Sequence, residues 1–395
     1  MPADIWLLTE PIKLDLGEHA AQDDAIHNLS GGAFIGEHLY LANDEGRQLL
    51  HLQRTKPSRY ASCEAIDLAD IFDLPGKETN DKEFDLEALA VDMLDKKVVR
   101  LWMIGSHAMG HDEPPGDSEL KRLGLKRQRN RLLFGCVQVD AQGRVLEHTG
   151  RHLRITPANR SKNTHTTEFL SAVRSASPHA EGFAREIEAL TGEDVSADAA
   201  RRIGWFAPYT LASTKENGPD VEGLAIRRRN KDASTVVALV GLRGPVIDGY
   251  AVIIEVQIRD KDTREVTVVG EPCFHLLNLR GFGVRDLEWR GDDLLILAGP
   301  TMTRQKESAL FRWRDAKDAS AERTDHDVRE AGGIRQIGRL PMAPDGGGPE
   351  VFTRIEPGSG EYMVLRDGIK GPRLVDRNEQ QSSAGPIYRA EVYHV

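Results

Sequence analysis

Carboxylates, arginines and one histidine recur at matched places in this sequence, and their types suit acid–base chemistry around a bound ligand. Five segments share a pattern: a polar residue opens a short apolar strand, a turn follows, and a second apolar strand ends in a polar or turn residue. They are LSGGAF…LYLAND from Leu29, LEALAV…LWMIGSH from Leu86, VEGLAI…VALVGLR from Val221, VRDLEW…LLILAGP from Val284 and PEVFTRI…YMVLRD from Pro349. Aligning their apolar positions puts Ser30, Glu87, Glu222, Arg285 and Glu350 in one slot. A second slot holds Asp44, His107, Arg243, Pro300 and Asp367.

Three converging glutamates would repel and raise one another's pKa values unless cations stand among them. Either Arg243 and Arg285 pair with them, or a hard cation such as Ca²⁺ does, since it favours carboxylate oxygen. The two arginines weaken the calcium case and suit a bidentate grip on a carboxylate or phosphate. One catalytic arrangement has Glu87, Glu222 or His107 acting as general base on water while the arginines stabilise charge on an ester or phosphoryl oxygen. Arg243, Arg285, Glu350, Asp44, Asp367 and Ser30 are then ligand-binding residues. Asp286 and Glu288 alternate with the slot and rank lower.

Two readings stay open. One is a funnel for a small anionic molecule, with hydrolysis of phosphoester or carboxylic ester bonds (esterase-, phosphatase- or lactonase-like). The other is a non-catalytic protein-interaction scaffold whose channel holds only water and satisfied salt bridges.

The elements that must position these residues are strands. Each copy is followed by two more strand-like runs, giving four strands per repeat of roughly 60 residues, which is the blade of a β-propeller. The fold class expected is all-β: a propeller of about five four-stranded blades, with six as the alternative. The last repeat lacks one strand, and IWLLTEPIKLDL near the N-terminus can supply it by pairing in the last blade. Such closure removes exposed sheet edges. One domain over 1–395 follows, with a helical insertion at 156–219 over the funnel face. Its helices are expected to start at Ser177-Pro178, where Ser caps and Pro opens the first turn, and near Ser196. In a four-stranded blade both slots ring one mouth, where the long segments 107–131, 156–219 and 367–386 also fall as a partial lid.

Composition narrows the field. With 39% hydrophobic and 29% charged residues, the 395-residue chain reads as an ordinary globular protein. A net charge of −10 opposes general attraction to nucleic acid. No run approaches the ~18 apolar residues of a membrane span, and the start lacks a signal peptide's pattern, so the expected address is cytoplasmic. Cys63, Cys136 and Cys273 are scattered and expected to be reduced core thiols.

Other motifs are weak. Ser106 and His107 are strand neighbours that point apart. HAMGHDE, with His107, His111, Asp112 and Glu113, reads as a polar loop. DGGGPE lacks the Lys-Ser/Thr of a phosphate loop. The basic runs Lys121 to Arg131 and Arg227 to Lys231 read as solvated loops.

The strings DLEALAV, IGSH, VEGLAI, VGLRGP and GVRDLEW with LAGP resemble an uncharacterised bacterial family, domain of unknown function 3616. That resemblance implies a propeller-like fold and no particular activity. Glutamates opening inner strands also look like those of calcium-dependent lactonase and phytase-like propellers. Here, however, Arg243 and Arg285 stand where calcium would want oxygen.

Overall fold

The computed structural model describes residues 5–17, 28–72, 74, 83–93, 99–108, 110–111, 125–126, 130–158, 161–176, 218–228, 234–260, 264–301, 307–319, 328–342, 347–366 and 387–395. The chain is all-β and propeller-like. Its strands fall into successive antiparallel groups, each built from neighbours in sequence.

The first group is Leu29–Ile35, His38–Asn43, Gln48–Lys56 and Arg59–Asp67. The second is Leu86–Met93, Val99–Gly105, Phe134–Val139 and Val145–Leu153. Asp220–Arg228, Thr235–Gly244, Ala251–Asp260 and Glu265–Leu277 make the third. The fourth is Gly283–Arg290, Asp293–Gly299, Glu307–Trp313 and Ile334–Pro341. The fifth takes Pro349–Arg354, Glu361–Arg366 and Ile387–His394. Its outer position is filled from the N-terminus, with Trp6 opposite His394, Ile12 opposite Ala390 and Leu14 opposite Tyr388.

The first strands of the groups pack side by side in cyclic order, the fifth returning to the first. Small residues allow this approach. A Cβ on Gly31 would meet the Ala88 Cα and the Glu87 carbonyl oxygen at 3.0 Å. Five hydrophobic cores fill the gaps between successive groups: Leu14, Leu41 and Met363 lie between fifth and first, for example, and Leu239, Leu287 and Trp313 between third and fourth. Short parallel pairings join some outer strands across gaps, Ile12–Asp15 with Arg59–Asp67 and Val145–Leu153 with Glu265–Leu277.

Two expectations change. The stretch from 156 begins with strand, not helix: Ile155–Ala158 pairs with Ser161–Thr167. A helix over Glu168–Ala176 follows, nine residues before the expected start at Ser177. Thr167 caps it by accepting from the Leu170 N–H at 3.1 Å, and Phe169, Leu170 and Val173 bury one face at helical spacing. The expected helices from 177 and 196 lie outside the described residues. Secondly, only Cys136 and Cys273 are core thiols; Cys63 is exposed, and all three are free. No helix among the described residues is long and apolar enough to cross a membrane.

Candidate functional site

A β-bulge interrupts the first strand of every group at the same place. The register jumps between Leu29 and Gly31, Leu86 and Ala88, Val221 and Gly223, Val284 and Asp286, and Pro349 and Val351. The residues skipped are Ser30, Glu87, Glu222, Arg285 and Glu350. A bulge leaves its extra residue unpaired and re-aims the side chain. Here five of them turn to one cavity of about 170 Å³ on the axis, and all five line it.

From the second slot, Asp44 and Arg243 line the same cavity. Pro300 contributes its carbonyl oxygen, which accepts from Arg285 Nη2 at 3.3 Å. Asp367 lies outside the described residues. His107 takes a different place. It has only 1% exposure, its Nδ1 lies 2.9 Å from the Gly105 carbonyl oxygen, and its ring meets Phe169 edge-on at 5.2 Å. Its neighbour Ser106 instead donates to the Asp85 carboxylate.

Three charged lining residues escaped the repeat alignment: Asp85, Asp220 and Arg131. Asp85 and Asp220 each stand two places before a slot glutamate, at 87 and 222. The shared D-x-E spacing was the available signal. Arg131 closes the basic run read as a solvated loop, yet it lies 3.1 Å from Asp85 and also pairs with Glu83. Arg227 and Arg228 of the second basic run are strand residues, and Arg228 binds Asp92 through two hydrogen bonds of 2.8 and 2.6 Å. His111, Asp112 and Glu113 fall outside the described side chains.

Six carboxylates (Asp44, Asp85, Glu87, Asp220, Glu222, Glu350) face three guanidiniums in the cavity. The guanidiniums are engaged. Arg243 reaches Asp220 and Glu222, each at 2.5 Å. Arg285 pairs with Glu350 and lies 3.1 Å from Glu222. No ion pair reaches Glu87 among the described residues. Burial, then the neighbouring charges of Asp85, Glu222, Asp220 and Asp44, push its carboxyl well above the usual range. Burial likewise raises Asp85, and lifts Asp220 to about 7 against the opposing pull of Arg243. Asp286 leaves the cavity to accept the backbone N–H groups of Leu287 at 2.8 Å and Phe352 at 2.7 Å, tying the fourth group to the fifth. Glu288 lies at the far end of the channel.

Among the described residues no three of His, Cys, Asp and Glu form an arrangement able to hold a metal ion. Guanidiniums stand between the carboxylates instead. The arrangement can grip a polar ligand, hold protons on crowded carboxyls and present ion-paired carboxylates beside them.

Fold and site define an all-β, propeller-like protein with a charged axial cavity. The chain belongs to the family described as protein of unknown function DUF3616, which matches residues 28–381. No curated protein matches it in sequence. Among solved structures it is similar to a family 117 glycoside hydrolase from the marine bacterium Zobellia galactanivorans, at 7% identity and TM-score 0.40, covering 99% of this chain and 91% of that one. Pseudomonas fluorescens PhoX in complex with vanadate is similar at 7% identity and TM-score 0.36, with coverage of 98% and 74%. Myxococcus xanthus glutaminyl cyclase follows at 9% identity and TM-score 0.32, with coverage of 99% and 97%. Likeness at this level transfers no activity.

Proposed function

We propose that the axial ring is a hydrolytic site for a small, uncharged, oxygen-rich substrate. Glu87 gives a proton to the leaving oxygen, while Glu222, held between Arg243 and Arg285, takes one from the attacking water. The supporting observation is the contrast between these two glutamates, which occupy equivalent bulges. Glu222 has two guanidiniums against it. Glu87 has none in the ion pairs described and is crowded by other carboxyls. A carboxyl that holds its proton, set beside a carboxylate gripped by guanidiniums, is the pairing that acid–base hydrolysis uses.

An anionic substrate, expected from Arg243 and Arg285, fits this ring less well. Their edges are already turned to Asp220, Glu222 and Glu350, which leaves an anion no unoccupied guanidinium fork there to meet. Uncharged ester, lactone or glycosidic bonds are therefore placed ahead of phosphoesters. In the same reading the five strand groups are five blades of one closed propeller over 1–395. The N-terminal strand completes the last blade, and 156–219 is an elaboration of it.

A chromogenic panel of esters, lactones, glycosides and phosphoesters, run with and without Ca²⁺, tests the assignment. Turnover of an uncharged substrate should fall about 10²- to 10⁴-fold in Glu87→Gln with the circular dichroism unchanged. Turnover confined to phosphoesters would contradict it. No turnover and no substrate-induced thermal shift would favour the interaction scaffold instead.

A further inference from the structure

Asp85 and Glu87 in the second group match Asp220 and Glu222 in the third, yet the arginine beside each pair is placed differently. Arg243 bridges the third group's pair, reaching Asp220 and Glu222 at 2.5 Å each. Arg131 lies 3.1 Å from Asp85 but turns its other end to Glu83, which does not line the cavity. Glu87 is left without an ion pair among the described residues.

Several contacts hold Arg131 in this position. Its carbonyl oxygen accepts from the His107 N–H at 3.0 Å, and a Cβ on Gly105 would come within 2.6 Å of that oxygen. The backbone is thereby anchored. Among the described residues its guanidinium meets only Glu83 and Asp85, and its Nε–H is buried without an acceptor. The two carboxylates are fixed in turn. Phe84 between them is buried in the core, with its N–H donated to the Gly46 carbonyl oxygen at 3.0 Å. Asp85 has a left-handed backbone, φ 50°, which persists only where the surroundings impose it. Ser106 does so, donating its N–H to the Asp85 carbonyl oxygen at 3.0 Å and its hydroxyl to the Asp85 carboxylate.

A guanidinium against a carboxyl favours the charged form, so the place of Arg131 decides what Glu87 can do. No other guanidinium lining the cavity is placed to take over. Arg243 and Arg285 are engaged by Asp220, Glu222 and Glu350, and Asp44 adds only a further carboxyl. We propose that Glu83 and Asp85 are positioning residues that draw Arg131 aside from Glu87 and so leave that glutamate as the acid of the ring. The assignment rests on the hydrolytic reading of the ring and accounts for opposite roles at equivalent bulges.

Glu83→Gln tests it, because Arg131 should then bridge Asp85 and Glu87 as Arg243 bridges Asp220 and Glu222. Carbon-13 titration of labelled glutamate carboxyls in the full chain reads the result, with Glu87 assigned by its loss in Glu87→Gln. The Glu87 midpoint should lie at least about one pH unit lower in Glu83→Gln than in the wild type, about tenfold weaker proton binding. That fall should disappear when Arg131→Gln is also present. Thermal unfolding shows whether each variant is folded, and the single variant decides the matter if the double one is not. A smaller fall in folded Glu83→Gln, or an equal fall with Arg131→Gln present, would overturn the assignment and leave the hydrolytic reading standing. An ordinary midpoint for Glu87 in the wild type would remove both.

Discussion

Arg285 Nη1 lies 3.1 Å from Glu222 Oε2, joining the neighbouring first strands of the third and fourth groups at the axial cavity. Because Arg243 holds the other oxygen of the same carboxylate, Glu222 is the buried anion that two part-buried guanidiniums share. Glu87, at the equivalent bulge one group earlier, has no such duty. Identical side chains therefore answer to opposite electrostatics.

The first prediction follows from that contrast. Glu222→Gln removes the buried charge two guanidiniums share and should destabilise the fold, by less than the about 3–5 kcal/mol of breaking a lone buried pair because Asp220 and Glu350 still meet them. Glu87→Gln removes a carboxyl crowded by like charges and should leave stability unchanged or raise it at neutral pH. Urea unfolding midpoints of the two variants check the sign of each. Equal destabilisation by both would refute the asymmetry.

The pH dependence has a definite direction. Asp220 holds its proton up to about 7 when folded, whereas an unfolded aspartate releases it near ~3.9. The folded chain thus binds more protons between those values, so this contribution is full below about pH 4 and is lost as pH rises through about 7. Glu87 is raised in the same direction. Melting temperature should fall between about pH 5 and pH 8, and Asp220→Asn should flatten that slope. A rising slope over the interval would be incompatible with protonated ring carboxyls.

Backbone contact sets a third test. A Cβ on Gly283 would sit 1.9 Å from the Arg243 carbonyl oxygen, so Gly283→Ala must move one strand against the other. Overpacking of this kind costs about 1–3 kcal/mol. It should also shift Arg243 and so reduce any activity of the ring. A fully stable, fully active alanine variant would show that the approach is looser than described.

Closure by the N-terminus gives the fourth. Ile12, Leu14 and Leu16 are buried against the C-terminal strand and the first group, each contributing about 1.5–3 kcal/mol on burial. Deleting residues 1–16 should expose the Ile387–His394 edge and lower the unfolding midpoint sharply or cause aggregation. An unchanged midpoint would mean that the strand is dispensable.

Much of the ring was legible because repetition carries it. Apolar runs aligned on one another brought Ser30, Glu87, Glu222, Arg285 and Glu350 to equivalent positions, and all five line the cavity. The bulges that aim them were not legible, since strand alternation alone predicts no register jump. Asp85 and Asp220 were missed because they precede the aligned strings. Arg131 was missed because a run of basic residues reads as solvated until a carboxylate is found beside one of them. His107 matched its slot in sequence, but a left-handed backbone with φ of 53° turns it from the strand path, and its ring meets Phe169. That phenylalanine belongs to a helix whose signal, Thr167 followed by apolar residues at helical spacing, stood ten residues ahead of the more conspicuous Ser177-Pro178.

The proton on Glu87 is the claim on which the proposed chemistry depends, and carbon-13 NMR titration of labelled glutamate carboxyls measures it directly. Among the resonances that titrate well above the ordinary glutamate value of ~4.3, Glu288 included, one should vanish from the spectrum of Glu87→Gln. If Glu87 titrates at the ordinary value, with its resonance assigned by that same substitution, the ring has no glutamic acid to give a proton and the hydrolytic assignment fails.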